Sequence, residues 1–420
     1  MCHDQAPRPF EGRLTSGDLV PRRIPSFAFS LVIAASVSAV LAVAPTAHPD
    51  STDRAVVVDG ENRLGFDVLT ALRASNKNDN LVVSPLTIGQ TMEAVAAGSR
   101  GATRDEVLAA LRIPRRMSIG RVMDASRNLR EELEDEILLT GFVVSDKNVP
   151  INAPFRSVLQ DSLGQRLLSS NLGAPEQVRA EINSLVANLT FQNVPDLVAD
   201  GSPPPQAKLL AGGAFGFRAN WVTPFASGDD LPFHVTDAKT VTVARLSTGS
   251  GGANLSFRRA RDFQAILIPY RGARLAMLLM IPDPGKFQAV EARLNATEVF
   301  DTLLQMRRQK VDLSFPLFRV GTRVANVADA ITGLVTLPFT RGKADLSPIS
   351  KLRPLAFDAI IAGAVVNVES GGTDAATGIA PIKGGAQVGV TVDRPFMFAV
   401  VDRPTSALLA VGRIVDPTLT

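Results

Sequence analysis

The chain predicts an α+β fold, with one domain over residues 51–420 and a separate N-terminal tail over residues 1–50. Three observations carry that expectation. Apolar residues recur at helical spacing through the first half, while the second half is a succession of short apolar or alternating runs. The two kinds of element are segregated rather than alternating as strand–helix–strand units. No internal repeat is visible, and after a short tail at Pro49 to Asp53 the folded pattern continues to about Pro417.

ENRLGFDVLTALRAS places Leu64, Val68, Leu69 and Leu72 at helical spacing. Leu81 to Val83 read as a short buried strand, which Ser84-Pro85 stops. Helical spacing resumes at Thr87, passes through Met92 and Val95, and ends at Gly98 and Gly101. In ATRDEVLAAL, Thr103 is the expected N-cap and Glu106 completes a capping box. Residues 135–148 read as strand and 151–170 as helix. APEQVRAEINSLVANLT is an amphipathic helix through Ile182, Leu185 and Val186. AKLLAGGAFGFRANWVTPF reads as one long apolar strand, and LPFHV, KTVTVARL, FQAILIPY, ARLAMLLMIP and QKVDLSFPLFRV as further strands. Near the end, FDAIIAGAVVNV and DRPFMFAVV are strand-like and enclose GGTDAATGIAPIKGGAQVGV, a run of small residues with few charges.

Composition excludes several functions. The net charge is only +3 and the basic residues are scattered, without a Lys/Arg block interleaved with aromatics, so no nucleic-acid partner is expected. The one cysteine, Cys2, excludes a disulfide framework and a cysteine zinc site. No metal or cofactor is expected. His234 is the only histidine in the folded region, where a nucleophilic enzyme needs a His oriented by a third group, so the chain is not expected to be an enzyme. A monomer is expected.

The run from Ile24 to Ala47 is apolar, follows Arg22-Arg23 and ends in the small residues Ala42, Ala44 and Ala47, the pattern of a secretory signal. It is also near the length that spans a bilayer. The expected location is therefore extracellular or in the cell envelope, with a retained N-terminal membrane anchor as the alternative. The Ala- and Arg-rich composition hints at a GC-rich bacterial genome.

Collinear motifs give a further reading. NLVVSPLTIGQTMEAVAAGSRGATRDEVLAAL carries Ser84, Pro85, Leu86, Ile88, Gly98, Gly101 and Thr103. EINSLVANLTFQNVPDLV carries Ile182, Asn183, Thr190 and Leu197, and FRANWVTPF with PFHV carries Phe217, Trp221, Pro224, Phe225, Pro232 and Phe233. LIPYRGARLAMLLMIP, VDLSFPLF, KADLSPIS and finally DRPFMF…GRIVDP follow in order. In these motifs the chain resembles a serpin from end to end. The resemblance implies three β-sheets, about eight to nine helices, and an exposed reactive-centre loop between a strand ending near Val368 and one near Val390.

It also implies a suicide mechanism. A serine or cysteine protease cuts the loop, forms an acyl-enzyme, and is trapped as the loop inserts into the central sheet as a new strand. Gly372, Thr373, Asp374, Ala375, Ala376, Thr377 and Gly378 then form the hinge, since small residues enter a buried strand at low cost. Strand alternation puts Thr373, Ala375 and Thr377 on one face and Asp374 on the solvated one. Two scissile bonds compete: Ala386-Gln387, suited to an elastase-like protease, and Lys383-Gly384, suited to a trypsin-like one. The sheet-opening region comprises Ser84, Thr87, Gly213, Trp221 and Ala362. Gly213 and Ala362 stand where the family keeps an Asn and a His, Ser370-Gly371 replaces a Glu before the hinge glycine, and Pro381 lies in the segment that must insert. These departures leave a non-inhibitory binding or carrier serpin as the alternative.

Overall fold

The computed structural model describes residues 51–217, 219–222, 225–249, 251–369 and 388–419, which belong to one compact unit. Helix α1, Ser51–Ser75, opens it, with Asp53 in its first turn and Arg73 in its last, each matching the sign of the helix dipole. The expected tail through Asp53 is therefore helical from Ser51. Asp53 is fixed there by Arg121, whose Nε donates to it at 2.6 Å. Strand β1, Leu81–Val83, leads to helix α2, Pro85–Ala97, which Ser84 caps and Pro85 starts. Nearly every residue of α2 is buried, as an all-round apolar helix requires.

Helix α3, Gly101–Ala110, begins from Arg100, not Thr103. The capping-box residues are engaged elsewhere. Thr103 Oγ1 accepts from the Asp345 N–H at 3.0 Å, and the Glu106 carboxylate accepts from the Leu337 N–H at 2.7 Å. After α4, Ile119–Leu133, and β2, Leu138–Asp146, the helix expected within 151–170 is cut short. It comprises α5, Ala153–Ser157, and a π-turn over Val158–Ser162. Gly164, at φ +59°, then turns the chain into β3, Arg166–Ser170, which lies parallel to β2. Helix α6, Pro175–Leu189, matches its expectation and buries Val178, Ile182 and Val186. Strand β4, Leu209–Phe217, is shorter than the sequence suggested: it stops well before Phe225.

The remaining strands are β5, Ala226–Thr236; β6, Lys239–Ser247; β7, Ala253–Arg259; β8, Phe263–Pro269; and β9, Leu275–Pro282. Helices α7, Phe287–Arg293, and α8, Ala296–Leu304, precede β10, Arg307–Pro316, and β11, Phe318–Val324. The short α9, Val327–Ala330, leads towards β12, Ala359–Val368. Last come β13, Val388–Thr391; β14, Phe396–Asp402; and β15, Ala407–Ile414.

Three sheets were expected; among the described residues hydrogen bonding gives two. The ten-stranded sheet runs β1-β15-β14-β9-β8-β7-β10-β6-β5, with β13 also on β10. Strand β10 is the reason. Its first half pairs with β7, its last residues with β6, and Val311–Ser314 run parallel to β13, so one strand joins two of the expected sheets. The five-stranded sheet runs β11-β12-β4-β2-β3. One apolar cluster lies between its inner face and α1 and α2, and a second under α6 on its outer face.

Candidate functional site

The five-stranded sheet contains one unusual seam. Strands β4 and β12 pair directly and in parallel, from Ala359 opposite Leu210 to Val366 opposite Phe217. The centre of this buried ladder is built of small residues: Gly212, Gly213, Ala214 and Gly216 face Ile361, Ala362, Gly363 and Val365 or their neighbours. Such residues contribute little side-chain packing across the strands, so the seam is held mainly by its backbone.

On the inner face Gly213 lies opposite Ala362, above the start of α2. A Cβ at position 213 would sit 2.7 Å from Thr87 Cγ2 and 2.8 Å from the Thr140 carbonyl oxygen, so only glycine fits. Ser84 and Thr87 are both buried and satisfied locally. The Thr87 N–H and hydroxyl each donate to Ser84 Oγ, at 3.2 and 3.0 Å, and the Thr91 hydroxyl donates to the Thr87 carbonyl at 2.8 Å. The structure thus brings Ser84, Thr87, Gly213 and Ala362 together. Because Gly213 and Ala362 carry no polar side-chain atom, their pairing adds no side-chain hydrogen bond across the seam.

Trp221 is elsewhere, beyond the C-terminal end of β4. It stacks on Tyr270 at 4.3 Å between centroids and meets Phe225 and Phe315 edge-on. Its indole N–H donates to the Glu369 carbonyl at 3.1 Å, one residue past β12, and so latches the point where the chain leaves the sheet. The hinge positions from Gly372 to Gly378, and the scissile candidates Lys383, Gly384, Ala386 and Gln387, lie outside the described residues, as do Ser370 and Pro381.

Sequence reasoning missed the cover on the outer face. Residues 190–200, between α6 and β4, lie over the seam as a strap. Asn193 Cβ is 3.3 Å from where a Cβ on Gly216 of β4 would be, and Leu197 Cδ1 is 2.5 Å from the corresponding point on Gly363 of β12. The strap is tied to α6 by a buried reciprocal pair: Asn183 Nδ2 donates to the Val198 carbonyl at 3.0 Å, and the Val198 N–H to Asn183 Oδ1 at 2.7 Å. From β11, Arg323 donates to the Asp196 carbonyl at 2.9 Å and Arg319 to the Asn193 carbonyl at 3.3 Å. Asn183 stood in the quoted motif; the two arginines carried no local signal.

Three carboxyls elsewhere in the fold have shifted acidities. Burial pushes the Glu93 carboxyl of α2 up to about 8, although a hydrogen bond from Ser126 and the charge of Arg130 oppose the shift. Burial, reinforced by the charge of Glu93, raises the Glu61 carboxyl of α1 well above the usual range. Conversely, Arg353 and Ser347 hydrogen-bond Asp345 and lower it to about 2, which secures the loop that also binds α3. His234 is exposed on β5, with Nδ1 3.0 Å from the Thr240 hydroxyl, a different partner from the carboxylate that orients a catalytic histidine. Among the described residues, no group of three or more His, Cys, Asp or Glu side chains is placed to hold a metal ion. No helix among them is long and apolar enough to cross a membrane.

A small-residue parallel seam, latched where one strand leaves it and strapped on its outer face, defines the class: an α+β protein of the serpin fold. The family model described as Serpin (serine protease inhibitor) matches residues 59–417, and the chain belongs to the serpin family. It is 27% identical to an uncharacterized serpin-like protein of Thermococcus kodakarensis, over 86% of this chain and 86% of that one. It is likewise 27% identical to the leukocyte elastase inhibitor of Equus caballus, over 84% of this chain and 97% of that protein. Human thyroxine-binding globulin complexed with thyroxine matches in fold, with a TM-score of 0.79 at 18% identity, covering 87% of this chain and 99% of that one. The bare expectation of no enzyme is corrected by the family description to a specific statement: the family is one of protease inhibitors.

Proposed function

We propose that the protein is a suicide inhibitor of a serine or cysteine endopeptidase. The protease takes residues 371–387 as substrate and is trapped when part of that segment enters the five-stranded sheet. The β4–β12 seam supports this reading most: two directly paired parallel strands with small residues at their centre. A strand entering antiparallel to both replaces one ladder by two, with the more favourable antiparallel geometry.

The covalent step is ordinary acyl transfer. The protease hydroxyl or thiol adds to the carbonyl of Ala386 or Lys383. The bond to the nitrogen of Gln387 or Gly384 breaks, and the amine leaves with a proton. The N-terminal side stays on the protease as an ester or thioester. Strands β12 and β13, which bracket the segment, belong to different sheets, so cleavage releases the β12 side to move.

The seam is eight residue pairs long. With Thr373 entering beside Val366 and Phe217, residues 373–380 fill it. Thr373, Ala375 and Thr377 then face inward with those two residues, and Asp374 faces outward. Pro381 falls just past the far end, where its missing N–H removes no ladder bond.

The test is incubation with a panel of elastase-like and trypsin-like serine proteases. The expected result is an SDS-stable complex, with mass spectrometry of the released C-terminal fragment deciding between Ala386 and Lys383. Cleavage with neither a complex nor a rise in melting temperature would overturn the proposal. Thr373→Arg should turn inhibitor into substrate, because insertion would bury a charge; surviving inhibition would show that the hinge is misplaced.

A second reading, a non-inhibitory carrier, is favoured by one observation. A groove of about 460 Å³ between α1, α8 and the β14–β15 turn is lined by Val58, Val299, Phe300, Leu303 and Leu408, with Asn62 at hand. Saturable binding of an apolar small molecule, together with cleavage that leads to no complex, would select it. The signal-like run from Ile24 supports export, which N-terminal sequencing of the mature protein tests.

A further inference from the structure

The strap and the arginines beneath it bear on how the seam opens. The strap crosses the junction between β4 and β12 and is held on both sides of it. On one side is the buried Asn183–Val198 pair from α6. On the other are Arg319 and Arg323 of β11, the strand beyond β12, donating to the Asn193 and Asp196 carbonyls. Between these anchors Leu197 presses onto Gly363 of β12, and Val194, Leu197 and Val198 are buried on the outer face of the sheet.

A strand added between β4 and β12 separates them by one further strand spacing, about 4.8 Å. Hydrogen bonds of 2.9 and 3.3 Å on one side and 2.7 and 3.0 Å on the other cannot both survive that displacement. The Asn183 pair is reciprocal and buried, whereas Arg319 and Arg323 are exposed and can exchange their carbonyls for water. Release therefore falls on the arginine side. At mid-seam, where Gly213 and Ala362 meet, no side-chain hydrogen bond opposes separation.

We propose that Arg319 and Arg323 are the positioning residues that set the rate of strand insertion: they staple the strap across a seam that lacks a side-chain lock of its own. This rests on the inhibitory reading above. Their acceptors are main-chain carbonyls, so the staple requires the strap's backbone path rather than its side chains. The guanidinium fork suits such reach, and lysine, a compact point charge, replaces it poorly.

The test uses a synthetic peptide of sequence GTDAATGIA, residues 372–380, as a strand donor, which separates insertion from the identity of the protease. Uptake by the intact full-length chain is followed through the fluorescence of Trp221, the only tryptophan, and by native gel shift. Arg319→Ala/Arg323→Ala should take up peptide about tenfold faster than the parent, the effect of roughly 1.4 kcal/mol on a barrier. Arg323→Lys should fall between the two. Arg403→Ala, which removes an exposed arginine bound to the Ala273 carbonyl away from the strap, should match the parent. The melting temperature of the peptide-free double variant should stay close to the parent's, which separates gating from loss of fold. Equal uptake rates in parent and double variant overturn the staple while leaving the inhibitory reading intact. Failure of every variant, the parent included, to take up peptide overturns the opening seam and the staple with it.

Discussion

Two ladders in this molecule, one antiparallel between β9 and β14 and one parallel between β4 and β12, differ in what their side chains do. Strand β14 pairs with β9 through Met397 and Met280, Phe398 and Leu279, and Val400 and Met277, all buried. Strand β12 pairs with β4 through Ala362 and Gly213, and through Gly363 and Ala214, also buried. The first ladder is locked by interdigitated volume, so separating its strands would uncover large apolar side chains. The second stores little in side-chain contact across the strands. On the proposed opening, its resistance resides in peripheral devices: the indole bond to the Glu369 carbonyl and the strap over Gly363. On the proposed mechanism, the first sheet keeps its pairing and the second is the one that admits a strand.

Perturbing each ladder sharpens that contrast. Phe398→Ala, in the locked ladder beside Phe318 at 5.4 Å, should cost about 3–5 kcal/mol in denaturant unfolding and leave any inhibition at low temperature largely intact. A loss of only about 1 kcal/mol would show that this ladder is not held by volume.

The carboxyls of α1 and α2 set a pH dependence. Glu61 and Glu93 are raised in the fold, so their contribution to stability is complete below the unfolded glutamate value, about 4.3, and is lost as pH rises towards 8. Melting temperature should fall between pH 5 and 8, and Glu93→Gln should flatten that slope. An unchanged slope in the variant would remove Glu93 as its source. Asp345, lowered to about 2, acts in the opposite sense: its contribution holds above the unfolded aspartate value and fades as pH falls towards 2.

Gly213→Val should cost about 1–3 kcal/mol, because its Cβ meets the Thr140 carbonyl oxygen and Thr87 Cγ2. It should also abolish strand uptake at the seam; normal uptake would place the opening elsewhere. Trp221→Phe, the mildest change, keeps a ring against Tyr270 but loses the bond to the Glu369 carbonyl. It should cost about 1 kcal/mol at most and quicken uptake modestly.

The parts of this arrangement that were legible in the sequence are the ones written locally. Apolar runs located β4 and β12, and helical spacing located α2 and α6. The serpin resemblance implied one region for Gly213 and Ala362, which lie opposite each other in the β4–β12 ladder. What was illegible depends on distant partners. Thr103 and Glu106 read as a capping box, but segments more than 200 residues away claim both side chains. Residues 151–170 carried helical spacing that Gly164 interrupts and that β2 converts to strand by pairing. Arg319 and Arg323 carry no local signal, because their acceptors are backbone carbonyls 126 and 127 residues earlier.

The central claim is that the β4–β12 seam admits a strand from the chain's own 371–387 segment. Thermal unfolding of the protein before and after a single cleavage in that segment tests it most directly. Insertion should raise the melting temperature by more than about 10 °C, since the cut chain exchanges one parallel ladder for two antiparallel ones. A cut protein that melts at or below the temperature of the intact one would contradict it.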